Sequence, residues 1–425
     1  MKHALTKAER DKSVIVSILR RFGPLSRVGI HELTHLRRST ISQLVRELIN
    51  EGHLVEAGPS NNPLGRKQIL LRINEQTRFV VGVDFDAEFV TAAVMDLAPH
   101  VQNLVKEPSI LTDDTEGLVK QLIACARRAI DESDVPRESL LGIGIGDPGL
   151  VNAKDGISVM CSTIKFWREV PTRKMFEDAF GVPALLGSNT RIRTLAERTF
   201  GAADVPEDMV YVEYSRGIGA GIVIGGKILE GHRWSAGEFG HTRITESGPP
   251  CKCGSFGCLE AMVGAAAVEA RIRGIVQAGG TSQALSLAGG DPEKMTAWTV
   301  LEAARLGDKS CGAIVEELGR YLGLGLSNLV NLFNPALIVL DKRLELAGPS
   351  LLEHVVRTVK LQSLDYSNED LAFRYGSLGD EAGILGAGLL VLERLFEIPA
   401  LRPPSFMIET NELPALSPRV QRAHG

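Results

Sequence analysis

The feature that most constrains this chain is a compact set of soft metal donors. Cys251, Cys253 and Cys258 fall within eight residues, just after His241, and they are half of the six cysteines in 425 residues. Three thiolates and one imidazole form the donor set of a closed, four-coordinate structural zinc site. Gly254 and Gly257 let the loop bend tightly around an ion. The start of the chain, Met1 to Lys12, has no apolar core of signal-peptide length, so a cytoplasmic location is expected. In that compartment clustered cysteines read as metal ligands rather than disulfides. Cys125, Cys161 and Cys311 sit among apolar or small residues and read as buried, inert thiols. No apolar run reaches the roughly 18 residues of a membrane span, because Ser327, Asn328, Asn331 and Asn334 interrupt the most apolar stretch. No membrane partner is expected.

Charge divides the chain in two. Residues 1–74 hold 13 Lys and Arg against 6 Asp and Glu, a net of +7, while the remainder carries −12. A basic head on an acidic body implies a polyanionic partner for the head alone. Its pattern agrees. Val14, Ile15, Ile18 and Leu19 recur at helical spacing before Gly23 and Pro24; Ile30 and Leu33 mark a second short helix; Ile41, Leu44, Val45 and Leu48 form one apolar stripe on a third, closed by Gly52. The tight link between the second and third helices predicts a helix-turn-helix. Its third helix offers Arg38, Ser39, Thr40, Ser42, Gln43 and Arg46 to base edges and phosphates. Strand-like runs on either side of a turn-rich loop over 58–67 predict a wing, with Arg66 and Lys67 near its tip. Operator DNA is the expected partner. The bland alternative is a protein-binding three-helix module with a solvated charged face.

From Phe79 onward strands alternate with helices, the pattern of an α/β protein with mixed sheets. Hairpins are predicted over 80–94 and 209–224, buried strands over 140–145, 184–186 and 336–340, and helices over 115–130, 174–180, 190–200, 265–277, 297–306, 311–332 and 382–396. The Pro-rich, polar segment beyond Pro399 predicts a loosely ordered tail.

The run from Cys251 to Glu260, with Glu238 and His241 upstream, resembles the signature of the ROK family of repressors and sugar kinases. Segments 217–221, 326–335 and 378–386 resemble family segments too, and the likeness spans about residues 10–397. It implies a winged helix-turn-helix over 1–76 and a two-lobed, actin-like (ribonuclease H-like) ATPase fold over 77–397. Lobe one would take about 77–188 with the helix 380–397, lobe two about 189–379, and 398–425 the flexible tail. It also implies a ligand cleft between the lobes, where Glu238, His241 and Glu260 face a sugar while His241 also serves the zinc. Carboxylates accept hydrogen bonds from neighbouring sugar hydroxyls, and a metal-bound imidazole is held in one orientation.

The kinase pattern is broken at several points. An Asn-Asp pair in family kinases, whose Asp is the general base, falls on Ser188 and Asn189. A carboxamide cannot take a proton from a hydroxyl, although it can still bind one. The first phosphate loop, Asp-x-Gly-Gly-Thr-Lys in kinases, keeps Asp84 but continues Phe85, Asp86, Ala87 and Glu88, without the glycines. The second, Gly-Thr-Gly in kinases, is Ser215, Arg216 and Gly217, and the adenosine-side Gly-Gly has become Asp341, Lys342 and Arg343. In the sugar segment the usual Asn is Thr163. The resemblance therefore implies a regulator, a repressor binding DNA as a homodimer or homotetramer, whose body senses a sugar or sugar derivative. The competing expectation is an active ATP-dependent sugar kinase of glucokinase type.

Overall fold

The computed structural model describes residues 7–60, 67–74, 77–111, 114–201 and 205–395. The tail expected over 398–425 and the wing residue Arg66 lie outside the described residues.

The head is built from three helices, Lys7–Phe22, Arg27–Thr34 and Arg38–Asn50, followed by antiparallel strands Leu54–Pro59 and Ile69–Ile73. Ser26 opens the second helix by accepting from the Gly29 amide at 3.1 Å. His35, in the left-handed region, closes it (φ 56°), and the His31 ring meets the Leu36 carbonyl at 2.7 Å across the short turn. Ile41, Leu44, Val45 and Leu48 bury against Ile15, Leu19, Ile30 and Leu71. One strand is new: Leu25–Ser26 pairs with Leu70 and Leu71, making the hairpin a three-stranded sheet. Two residues are too few for an alternation to be seen in the sequence.

The body holds two five-stranded mixed sheets. In the first the strands run, edge to edge, Ala184–Ser188, Leu140–Asp147, Phe79–Phe85, Phe89–Asp96 and Val101–Pro108. The helix Thr115–Asp131 covers one face with Leu118, Leu122, Cys125 and Ala126. The second sheet runs Lys227–Ile228, Ile218–Ile224, Met209–Tyr214, Leu337–Leu340 and Ala372–Tyr375. Its core is shared with the helices Ala265–Gln277, Ala297–Arg305, Lys309–Phe333 and Pro349–Gln362. A small sheet of Leu150–Asn152, Ile157–Met160 and Arg168–Val170 stands beside the first. The hairpin expected over 80–94 is thus part of a three-strand meander. Its last strand forms the sheet edge and is exposed at alternate positions, Gln102, Leu104, Lys106 and Pro108. None of the described helices is long and apolar enough to cross a membrane.

The helix Glu381–Leu395 lies on the other face of the first sheet at backbone contact distance. A Cβ at Gly144 would stand 1.7 Å from the Ala387 carbonyl oxygen, and one at Gly82 would stand 2.3 Å from that of Ile384. Glycine here sets the spacing between helix and sheet, since backbone has no rotamer with which to yield. Gly144→Ala should destabilise the chain by at least about 2 kcal/mol, read as a lowered urea midpoint with an unchanged slope.

Candidate ligand cleft and metal centre

The sulfur–imidazole cluster forms as its spacing suggests. His241 ends a one-turn helix from Phe239, and Cys258 caps the start of the helix Leu259–Val263. Between them the chain doubles back: the Cys251 amide donates to the Ser255 carbonyl at 2.8 Å and the Gly254 amide to that of Cys251 at 3.0 Å. Gly254 and Gly257 take φ of 90° and 66°, values open to glycine at little cost. The donor atoms of His241, Cys251, Cys253 and Cys258 all lie within 4.8 Å of one another. His241 Nδ1 is 3.5 Å from the Cys251 sulfur, and the sulfurs of Cys253 and Cys258 are 3.8 Å apart. A tetrahedral ion with bonds of about 2.3 Å to sulfur and about 2.0 Å to nitrogen needs edges of about 3.8 and about 3.5 Å. The residues therefore fit a four-coordinate metal. Burial pushes the Cys251 thiol up to about 12, so a cation is what would make it a thiolate.

The same loop carries the carboxylates of the expected ligand site. Glu238 immediately precedes the one-turn helix; it is open to solvent, yet the surrounding protein raises its carboxyl above the usual range. Glu260, half-buried, accepts the Ile218 amide at 3.2 Å and so ties this loop to the second sheet. Ser188 ends a strand of the first sheet and Asn189 begins the helix Asn189–Phe200. Asn189 is 5% exposed and donates through Nδ2 to the Phe85 carbonyl at 2.9 Å. Thr163 bonds within its own loop, to the Cys161 sulfur at 3.1 Å. That loop is pinned from below: the indole N–H of the fully buried Trp167 donates to Asp147 at 2.8 Å, and Ser158 donates to the same carboxylate oxygen at 2.5 Å. Glu238, His241 and Glu260 thus share one loop system, whereas Thr163, Ser188 and Asn189 come from the first sheet's side.

The residues that break the kinase pattern are joined to one another. Arg216, on the turn of the second sheet's hairpin, reaches Glu88 on the turn of the first sheet's hairpin at 2.9 Å, and Glu269 at 3.1 Å. Arg343 grips Asp341 at 2.9 Å, donates to the Tyr214 carbonyl at 2.9 Å and stacks over Trp298. Between the sheets, Arg193 meets Asp84 at 2.8 Å and Glu213 at 3.5 Å, and Glu213 accepts the Thr190 hydroxyl. Burial pushes the Asp84 carboxyl up to about 6 despite Arg193 beside it. Arg193, Glu213 and Glu269 escaped the sequence reading. A pair of arginines around the buried Ile192 was the available signal, and nothing local ties it to an aspartate 109 residues earlier.

On the head, Arg38, Ser39, Gln43 and Arg46 are exposed and Thr40 and Ser42 half-exposed along the third helix, and Lys67 is exposed just ahead of the strand Ile69–Ile73. Ser42 bonds back to the Arg38 carbonyl at 2.9 Å and Gln43 donates to Glu47 at 3.1 Å.

The family model described as "ROK family" matches residues 80–394. A xylose repressor of Caldicellulosiruptor bescii is 28% identical over 375 residues, 88% of this chain and 93% of its own. The solved structure of a ROK family transcriptional regulator, a homolog of the E. coli MLC protein, superposes with a TM-score of 0.78 at 26% identity, covering 92% of this chain and 96% of that one. A ROK family glucokinase from Streptomyces griseus, solved with glucose and AMPPNP, superposes at 0.64 with 27% identity, covering 73% of this chain and 98% of the kinase. The regulator likeness extends over more of the chain than the kinase likeness.

The buried ion pairs give a stability prediction. Arg193→Ala would leave Asp84 and Glu213 buried without their cation, a loss of about 3–5 kcal/mol by analogy with other broken buried pairs. Chemical denaturation should show it, and adding Asp84→Asn should recover part of it.

Proposed function

The chain belongs to the ROK family, and we propose that within it this protein is a DNA-binding transcriptional regulator, a repressor, whose body senses a sugar or sugar-derived effector. The observation that carries this reading is coverage: the solved regulator matches 92% of the chain, whereas the glucokinase matches 73%. The head, 1–76, is a winged helix-turn-helix in this reading. Its third helix presents polar side chains opposite a buried apolar stripe, on a segment of net charge +7. Arg38, Ser39, Thr40, Ser42, Gln43 and Arg46 read the major groove, and Arg66 and Lys67 support the complex from the wing. Residues 77–397 form the effector body and 398–425 the tail.

The body is not a working kinase in this proposal. Asn189, at the place of the base, has an amide that cannot accept a proton, and its nitrogen is already committed to Phe85. The phosphate-loop positions are occupied by ion pairs among Glu88, Arg216 and Glu269 and between Asp341 and Arg343. Thr163, Ser188, Asn189, Glu238, His241 and Glu260 line the effector site. Zinc is the metal, structural, held by His241, Cys251, Cys253 and Cys258, because three thiolates and an imidazole favour it over hard cations. A cytoplasmic homodimer or homotetramer would present two heads to an inverted repeat.

Three outcomes follow. Freshly purified protein should contain about one zinc per chain by metal analysis, and chelation should lower its melting temperature. ATP-dependent phosphorylation of common hexoses should be undetectable; turnover near about 1 per second, an ordinary enzyme rate, would restore the kinase reading. Gln43→Ala should weaken binding to DNA sites selected from a random pool by about 1–3 kcal/mol and relax preference at one base of each half-site. Unchanged affinity and preference would return the head to a protein-binding module.

A further inference from the structure

We infer that the effector is an uncharged sugar rather than a sugar phosphate, and that Asp84, Glu88 and Glu213 determine this specificity. The inference rests on the cleft being an effector site, as proposed above. It begins with Asn189. The Phe85 carbonyl can only accept, so the Asn189 amide nitrogen must face it, and this fixes the side-chain oxygen on the other side. That oxygen is buried and has no partner, and neither has Oδ1 of Asp84. The two converge: a Cβ at Gly146 would stand 2.8 Å from Asn189 Oδ1 and 3.1 Å from Asp84 Oδ1. Unpaired buried acceptors are costly and rare, so this end of the cleft is built to receive donors.

The cations around it are each held by carboxylates, although Nη1 of Arg193, near Glu213, has no hydrogen-bond partner of its own. Arg193 lies between Asp84 and Glu213, Arg216 between Glu88 and Glu269, and Arg343 against Asp341. The ligand loop contributes two further acceptors, Glu238 and Glu260, and Glu238 lies within the electrostatic reach of Glu213. A polyol supplies hydroxyl donors to such a set. A phosphate group brings nearly two negative charges and only acceptor oxygens, and it would have to displace a carboxylate from an arginine. Of the three specificity residues, Glu88 is an acidic substitution in a former phosphate loop, and it turns phosphate away together with the retained Asp84 and with Glu213.

Isothermal calorimetry on the full chain tests this with D-xylose, D-glucose and N-acetylglucosamine, each beside its terminal phosphate ester. At least one neutral sugar should bind, and at least tenfold more tightly than its ester. Tighter binding of an ester would overturn the inference while leaving an effector-sensing regulator intact. Failure of all six to bind, with DNA affinity unchanged by any of them, would contradict the effector reading itself and the inference with it. Glu88 is half-exposed on a turn, so the isosteric Glu88→Gln should fold; it should narrow the sugar-to-ester ratio at least threefold by freeing part of Arg216. An unchanged ratio would remove Glu88 from the specificity set.

Discussion

Arg193 sits where the two halves of the body meet, with Asp84 of the first sheet on one side and Glu213 of the second on the other. Each of these groups is mostly buried, and none could remain charged there without the others. The net stabilisation of such a network is small, since desolvation offsets most of the attraction, but partial removal is costly. That asymmetry makes the arrangement specific: the two sheets must stand where one guanidinium can reach both carboxylates. Arg216 repeats the connection nearer solvent, between Glu88 and Glu269. An effector bound between the halves, as proposed, would meet groups that also hold the halves together.

The metal loop supplies the other fixed element. A peptide with Gly254 and Gly257 at positive φ has little apolar burial of its own, and Cys253 is exposed. A metal ion held by its four donors would constrain it instead, and with it the turn that carries Glu238 and the helix that carries Glu260. The proposed effector site would then have the ionic network on one side and the sulfur–imidazole cluster on the other. A ligand that changes the spacing of the two would act on the orientation of everything attached to the body, the head included.

Much of this was legible in the sequence because it is local. The apolar stripe of Ile41, Leu44, Val45 and Leu48 lies within two helical turns, and the four metal donors lie within eighteen residues. The strands Val101–Pro108 and Ala372–Tyr375 were missed for a physical reason: both are sheet edges, the first with a single buried residue and polar residues interspersed, the second only four residues long, so neither shows a clear apolar alternation. The helix Pro349–Gln362 begins at a proline after Gly348, signals that also read as a loop. The ion pairs were invisible for a stronger reason. Glu88 and Arg216 could be recognised as losses from a phosphate-binding pattern, but they lie 128 residues apart. Only the fold turns a set of deletions from one activity into a set of contacts.

The central claim is that the body and the head are one device, so that a ligand in the cleft alters DNA affinity. It is tested most directly by fluorescence anisotropy of the full chain on a DNA site selected from a random pool, titrated with and without saturating amounts of whichever neutral sugar binds the body. The account predicts at least a fivefold change in DNA affinity, a coupling of about 1 kcal/mol, and the same factor in sugar affinity when DNA is present, because such coupling is reciprocal. Sugar binding that leaves DNA affinity unchanged at equal salt would contradict it.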